Sequence, residues 1–137
     1  PFPLAIGKDR HETDFFLRST TTGSAMHGVT QPSSEGREFE PKFRQGIGVT
    51  SLDKFVQNGG VKFPNHIKID VDGSELDIID GADQVLRDFR LKSIMIEINA
   101  NLSQGKIEEI ITGHDFVEEM VEEWKGKNTF NKLYVRR

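Results

Sequence analysis

Cysteine is absent from the 137 residues, which excludes disulfide staples, thiolate metal sites and cysteine nucleophiles. Long apolar runs are absent too: the longest are a few residues, far short of the roughly 18 that read as a membrane-spanning helix. The first residues also lack the charged and apolar regions of a secretion signal. Positive charge is not in excess, because 18 basic residues face 22 acidic ones for a net charge of −4. That balance argues against nucleic acid as a partner. No G-x-G-x-x-G, Walker or G-x-S-x-G pattern occurs, so none of the motifs that cradle phosphates or seat a nucleophilic serine is present. The four histidines, His11, His27, His66 and His114, have no metal-ligand spacing. They read as structural or surface residues, and no metal site is expected.

What remains is ordinary globular composition, 35% hydrophobic and 29% charged, in a length that suits one domain over residues 1–137. The chain opens Pro1-Phe2-Pro3-Leu4-Ala5-Ile6, with neither an initiating methionine nor a polar lead-in. It reads like the interior of a longer protein. Apolar residues number 14 in the first 50 positions and 34 in the remaining 87, so the second part is expected to build the core. Within the first part, Leu4 to Ile6 and Phe15 to Leu17 suit short strands. Ser19 to Glu38 carries Thr, Ser, Gly and Pro at loop density and is expected to be mobile.

Val49 to Val56 reads as a strand end followed by a short helix, capped by Thr50 or Ser51 and closed by Gly59-Gly60. From His66 the pattern sharpens. Ile67, Ile69 and Val71 alternate with Lys68, Asp70 and Asp72, a period of two that marks a strand. Glu75 to Phe89 spaces Leu76, Ile79, Leu86 and Phe89 for one helix of about four turns. Ser93 to Asn99 is a nearly continuous apolar strand, as expected where helices cover both sheet faces. Strand, helix and strand make a parallel βαβ unit, and the fold class is α/β. Ser103 to Thr112 suits a helix with Ser103 as cap and Gly113 as stop. Phe116 to Trp124 fits helical spacing better than strand, yet it stands before a Gly126 turn and the strand-like Thr129 to Arg137. Acidic residues crowd Glu97 to Glu123 and basic ones the last fourteen positions, which suits two paired strands with complementary solvated faces.

Chemistry is concentrated in IKIDVDGSELD, residues 67–77, where a strand meets its helix. Ligands in open α/β sheets bind outside the carboxyl ends of strands. Asp70 and Asp72 are expected on one face there, able to hold a cation or act as a general base. Asp72 and Glu75 also spell an Asp-x-x-Glu capping box, Asp72 as N-cap and Glu75 three residues on. Asp70 has no such structural role. Glu97 interrupts an otherwise apolar strand, where a charge costs free energy unless paired or near solvent. With Asn99 it would flank the same sheet edge as Asp70.

Two families share features of this cluster. The string resembles the DxDGT motif of haloacid dehalogenase-like phosphatases, which would make Asp70 a nucleophile and Asp72 an acid/base. That motif stands near the start of its domain, and no later strand here ends in Ser or Thr. The longer match is to FkbM-type S-adenosylmethionine-dependent methyltransferases. Their C-terminal half runs through segments similar to Thr50 to Phe55, to Lys68 to Ala82 (KIDVDGSELDIIDGA) and to Ile94 to Ile98 (IMIEI). This chain departs in the Ser51 insertion and in Asp72, where the family has Glu. The resemblance implies a class I methyltransferase-like, Rossmann-like three-layer sandwich, with Ile67 to Val71 and Ser93 to Asn99 as its fourth and fifth strands. It turns Phe116 to Glu123 into a strand, the sixth, paired with the seventh.

The same resemblance implies S-adenosylmethionine as cofactor, a cytoplasmic setting and a small-molecule or sugar hydroxyl as acceptor. Ala5 and Ile6 fall at the tail of the third strand, near the adenine. Asp70, Asp72 and Glu97 fall among the catalytic residues, with Asp70 as base and Glu97 orienting acceptor or cofactor. The family's glycine-rich front half has no counterpart before Pro1. A gap is therefore expected between Leu4 to Ile6 and Ile67, with weak cofactor binding and an exposed edge that a second copy could cover. The competing expectation is a non-catalytic α/β remnant or interaction module.

Overall fold

A computed structural model describes residues 2–58, 60–124 and 128–137. The expected Gly59-Gly60 helix stop and the Gly126 turn fall wholly or partly outside the described residues. Two four-stranded sheets organise the chain. The first is built from β1 (Ala5–Gly7), β2 (His11–Leu17), β3 (Gly28–Val29) and β6 (Phe43–Ser51), in the order β1-β6-β2-β3. β1 runs parallel to β6, with Ala5 beside Val49 and Gly7 beside Ser51, and β2 pairs antiparallel with both β6 and β3. β4 (Ser33–Ser34) and β5 (Arg37–Glu38) form a small hairpin. The stretch from Ser19 to Glu38, read from its composition as loop, carries three short strands, β3, β4 and β5.

The second sheet comprises β7 (His66–Ile69), β8 (Ser93–Asn99), β9 (Phe116–Trp124) and β10 (Thr129–Arg136), in the order β7-β8-β10-β9. β7 and β8 are parallel, from His66 beside Ser93 to Ile69 beside Ile96. The βαβ unit read from the sequence is present. β9 and β10 form the antiparallel hairpin, so Phe116 to Trp124 is a strand and helical spacing misleads there. Only Phe116 of β9 is buried, and its partner strand, not a helical stripe, fixes its register. Lys132 Nζ reaches Glu118 Oε2 at 2.9 Å, which bears out the complementary faces of the hairpin.

The core is a cluster of the second part: Ile69, Ile79, Leu86, Ile96, Ile107 and Tyr134 are among its buried members. From the first 50 residues only Val49 joins the buried apolar set among the described residues. Burial along β8 alternates, with Ile94, Ile96 and Ile98 buried and Ser93, Met95, Glu97 and Asn99 half-buried. One face of that strand is fully buried and the other half-buried, and the described residues build a mixed α/β fold of several sheets. β1 and β7 lie in separate sheets and each has one strand neighbour. Both edges flanking the expected gap are thus unpaired by any described strand.

The expected four-turn helix is two short ones, α2 (Glu75–Asp80) and α3 (Asp83–Arg87). Two remote contacts break it. Gly81 packs so closely on β1 that a Cβ there would lie 2.3 Å from the Gly7 carbonyl. Asp53, in α1 (Leu52–Asn58), then caps α3 from outside: its carboxylate accepts from the N–H of Gln84 at 3.0 Å and of Val85 at 2.9 Å. Phe89, expected on the apolar face, lies beyond α3 and is 72% exposed. Ser51 caps α1 as expected, its Oγ accepting from the Lys54 N–H at 3.3 Å. The helix expected over Ser103 to Thr112 begins only at Lys106, as α5 (Lys106–Thr112), because left-handed Gln104 and Gly105 separate it from a further short helix, α4 (Ala100–Ser103). Ser103 ends α4 and does not cap α5. Gly113 terminates α5 as expected, its N–H donating to the Glu109 carbonyl at 3.0 Å.

Candidate functional site

The carboxyl ends of β7 and β8 meet where the sequence placed its acidic residues. One step beyond the last β7–β8 pair, Ile69 with Ile96, parallel register sets Asp70 beside Glu97. β7 ends at Ile69, short of the expected Val71. Asp72 then adopts a left-handed φ of 58°, followed by Gly73 at 118°. That reversal ends the alternation, and Asp70 and Asp72 acquire separate partners. Asp70 Oδ2 lies 2.9 Å from Lys68 Nζ at the exposed surface. Asp72 Oδ2 accepts from the Met26 N–H at 2.9 Å, and the Asp72 carbonyl accepts from the Glu35 N–H at 2.8 Å.

The capping box is accordingly not formed as expected. Ser74, not Asp72, occupies the N-cap of α2, and its side chain makes no capping bond. Glu75 is buried and accepts from the Gly73 N–H at 3.0 Å, not from the Asp72 N–H that the predicted box requires. Met26 and Glu35 also have positive φ, 63° and 50°. Three non-glycine residues in this uncommon conformation therefore converge on one turn, a concentration typical of functional sites.

Glu97 stands at the centre of this charge. Its pKa is raised, first by burial and then by Asp70, Glu35, Glu75 and Asp72. Lys68 offsets part of this negative charge, through Asp70 and Glu97, and the carboxylates in excess of it favour positive charge at the strand ends.

Two cavities flank the Asp72–Ser74 turn. The first, about 490 Å³, is bounded by Ile6, Gly7, Lys8, Thr30, Ser74 and Asp77. Of the two β1 residues that the resemblance sets near the adenine, Ile6 lines this cavity and Ala5 does not. The second, about 610 Å³, is bounded by Met26, Glu35, Arg37, Asn99, Asn101 and Asn128. The sequence pattern named Asn99 but not Arg37, Asn101 or Asn128; only folding brings the β4–β5 hairpin and the residue before β10 to the end of β8.

The sequence model of the methyltransferase FkbM domain family matches residues 1–126. The chain belongs to that family. No curated protein and no solved structure matches it. The match decides between the two resemblances drawn from IKIDVDGSELD in favour of the methyltransferase.

In an FkbM domain the residues at these strand ends suit the cofactor that the family implies. S-adenosylmethionine carries a positive sulfonium and an ammonium group, and the carboxylates around Glu97 are complementary to positive charge. Ile6 and Val49 offer apolar surface in the first cavity and Thr30 and Gln31 polar groups, which suits an adenine ring and ribose hydroxyls. The segment similar to the family's TLDDF region has a structural task, since Ser51 caps α1 and Asp53 caps α3.

The histidines hold local contacts. His27 Nδ1 accepts from the Arg18 N–H at 3.2 Å, and His66 Nδ1 meets Ser93 Oγ at 2.8 Å. His114 lies between the Ile110 carbonyl at 2.8 Å and Asp83 Oδ1 at 3.2 Å. No helix among the described residues is long and apolar enough to cross a membrane.

Proposed function

We propose that this FkbM domain serves S-adenosylmethionine-dependent methyl transfer to a hydroxyl of a small molecule, with the cofactor beside Ile6 and the acceptor beside Asn99. The observation that carries the reading is Glu97, half-buried at the end of β8 among four other carboxylates. When bound, the cofactor supplies an electrophilic methyl carbon, and its sulfur keeps the electron pair of the bond that breaks. Glu97 takes the proton that the acceptor hydroxyl loses. A raised pKa makes a carboxylate a better base at neutral pH, provided it is still ionised there. Asp70, the first choice from the sequence, already has an oxygen against Lys68 and is better suited to orienting the site. Asp72 acts through the backbone, holding Met26 and Glu35 in place. Most of the rate advantage comes from positioning. The setting that goes with this cofactor is the cytoplasm.

Isothermal titration of the chain with S-adenosylhomocysteine tests the reading. Saturable binding that the substitution Ile6→Asp abolishes is expected. A folded chain giving no saturable heat overturns the assignment and returns the non-catalytic reading.

A further inference from the structure

The second sheet ends in a long edge that no described strand pairs. β9 is the last strand in the order β7-β8-β10-β9. Its nine residues exceed those of the other free edges of the two large sheets, β1 with three, β3 with two and β7 with four. About half of its backbone N–H and C=O groups point away from β10, a template for a further strand. Proteins commonly blunt such an edge with proline, lysine or a bulge. β9 holds neither proline nor lysine. Its register shift lies opposite the Leu133/Tyr134 step, and Met120 to Trp124 pair regularly with Leu133 to Thr129. Met120, Val121 and Trp124 are exposed. Glu118 is held by Lys132, whereas Glu119, Glu122 and Glu123 are exposed and enter no ion pair among the described residues.

These glutamates exclude a second copy of the chain as the occupant. Two β9 edges joined about a two-fold axis run antiparallel, and residues equidistant from the axis stand opposite each other. An axis at Met120 sets Glu118 opposite Glu122, and one at Val121 sets Glu119 opposite Glu123. An axis at Glu118, Glu119 or Glu122 sets that glutamate opposite its own copy. Like charges directly opposite are destabilising, so every register with substantial overlap is opposed.

The same residues specify what does fit. β9 reads Glu-Glu, Met-Val, Glu-Glu over 118–123, and neighbouring residues of a strand face opposite sides. Each face therefore presents both apolar and acidic groups. A complementary strand has two basic residues, two apolar ones and two basic ones in succession. We propose that the outer edge of β9 docks an extended segment of another protein, which joins the sheet as a further strand and carries paired basic residues on either side of an apolar pair. Backbone hydrogen bonds supply affinity, and the glutamates select the partner.

The test is a titration of the isotope-labelled chain, at low salt, with the end-blocked peptide Thr-Lys-Lys-Val-Ile-Lys-Lys-Thr, read by nuclear magnetic resonance. Saturable shifts centred on the β9 backbone amides are expected, with slower hydrogen exchange there. The same peptide N-methylated throughout keeps its charges and loses every N–H, and should bind at least about tenfold more weakly. The combined substitution Glu119→Gln, Glu122→Gln and Glu123→Gln should also weaken binding about tenfold. Glu38→Gln with Glu40→Gln, away from β9, should leave it unchanged. No saturable shift, equal binding of the two peptides, or shifts centred outside β9 would overturn the proposal. So would a chain that sediments as a dimer with its β9 amides already protected, because a second copy would then occupy the edge.

Discussion

The Asp72 carboxylate accepts a hydrogen bond from the Met26 backbone N–H at 2.9 Å across 46 positions of sequence. That bond and the one from the Glu35 N–H to the Asp72 carbonyl stitch the 19–38 segment to the turn after β7. The wall of the second cavity therefore depends on a residue whose sequence pattern suggests a helix cap.

Asp72→Ala should cost about 1–3 kcal/mol, since it leaves the Met26 N–H without its acceptor and puts alanine at a positive φ. Asp72→Asn keeps an acceptor oxygen and a residue that tolerates that conformation, and should cost less. Urea unfolding gives the stabilities, and hydrogen exchange at Met26 gives the local effect. Equal stability of the two variants with unchanged exchange at Met26 would remove the stitching role.

Asp53→Ala should destabilise the chain by about 0.5–2 kcal/mol, the range for losing a side-chain cap. Its carboxylate holds two amides of α3 although it belongs to α1. An unchanged denaturation midpoint would show that α3 needs no external cap.

Arg136 donates to the carbonyls of Leu91 at 2.9 Å, His114 at 3.0 Å and Leu86, and stacks over Phe116. Arg136→Lys keeps the charge but loses the fork that reaches three carbonyls at once. A loss of about 2–4 kcal/mol is expected. A melting temperature equal to that of the parent would show that charge alone suffices.

Glu97→Gln should raise the melting temperature near pH 7 and leave it unchanged near pH 4 or below. The Glu97 pKa is raised in the folded chain, so its ionisation opposes folding. The stability tied to its protonated form is complete below the unfolded-state pKa and is lost as pH rises through the folded value. Asp88 runs the opposite way. Hydrogen bonds from Arg90 hold it down to about 2, so its contribution is present above the ordinary carboxylate pKa and lost as pH falls toward that value. Asp88→Asn should therefore matter at neutral pH and not at about pH 2. Melting curves of both variants across this range check the two signs together, and parallel curves would contradict them.

The strands of the βαβ unit, the Ser51 cap, the Gly113 stop and the core's origin in the second part were legible in local pattern. Alternation and capping are set by residues a few positions apart. The acidic cluster was legible too, since Asp70 and Glu97 interrupt apolar strands at their carboxyl ends. The break between α2 and α3 was not, because it comes from the Gly7 carbonyl and the Asp53 carboxylate, both far off in sequence. Nor was the strand nature of Phe116 to Trp124 legible from spacing; the charge split and the family resemblance pointed to it, and pairing with β10 decided it. The sequence by itself determined which segments can be strands, where charge gathers and which family the chain joins, because these rest on neighbouring residues and motif order. Tertiary structure alone decided that Asp72 holds Met26 instead of capping α2, that Glu97 stands among four carboxylates, and that Arg37 shares a cavity with Asn99. Each depends on bringing remote segments within hydrogen-bonding or Coulombic reach, and no local periodicity encodes that.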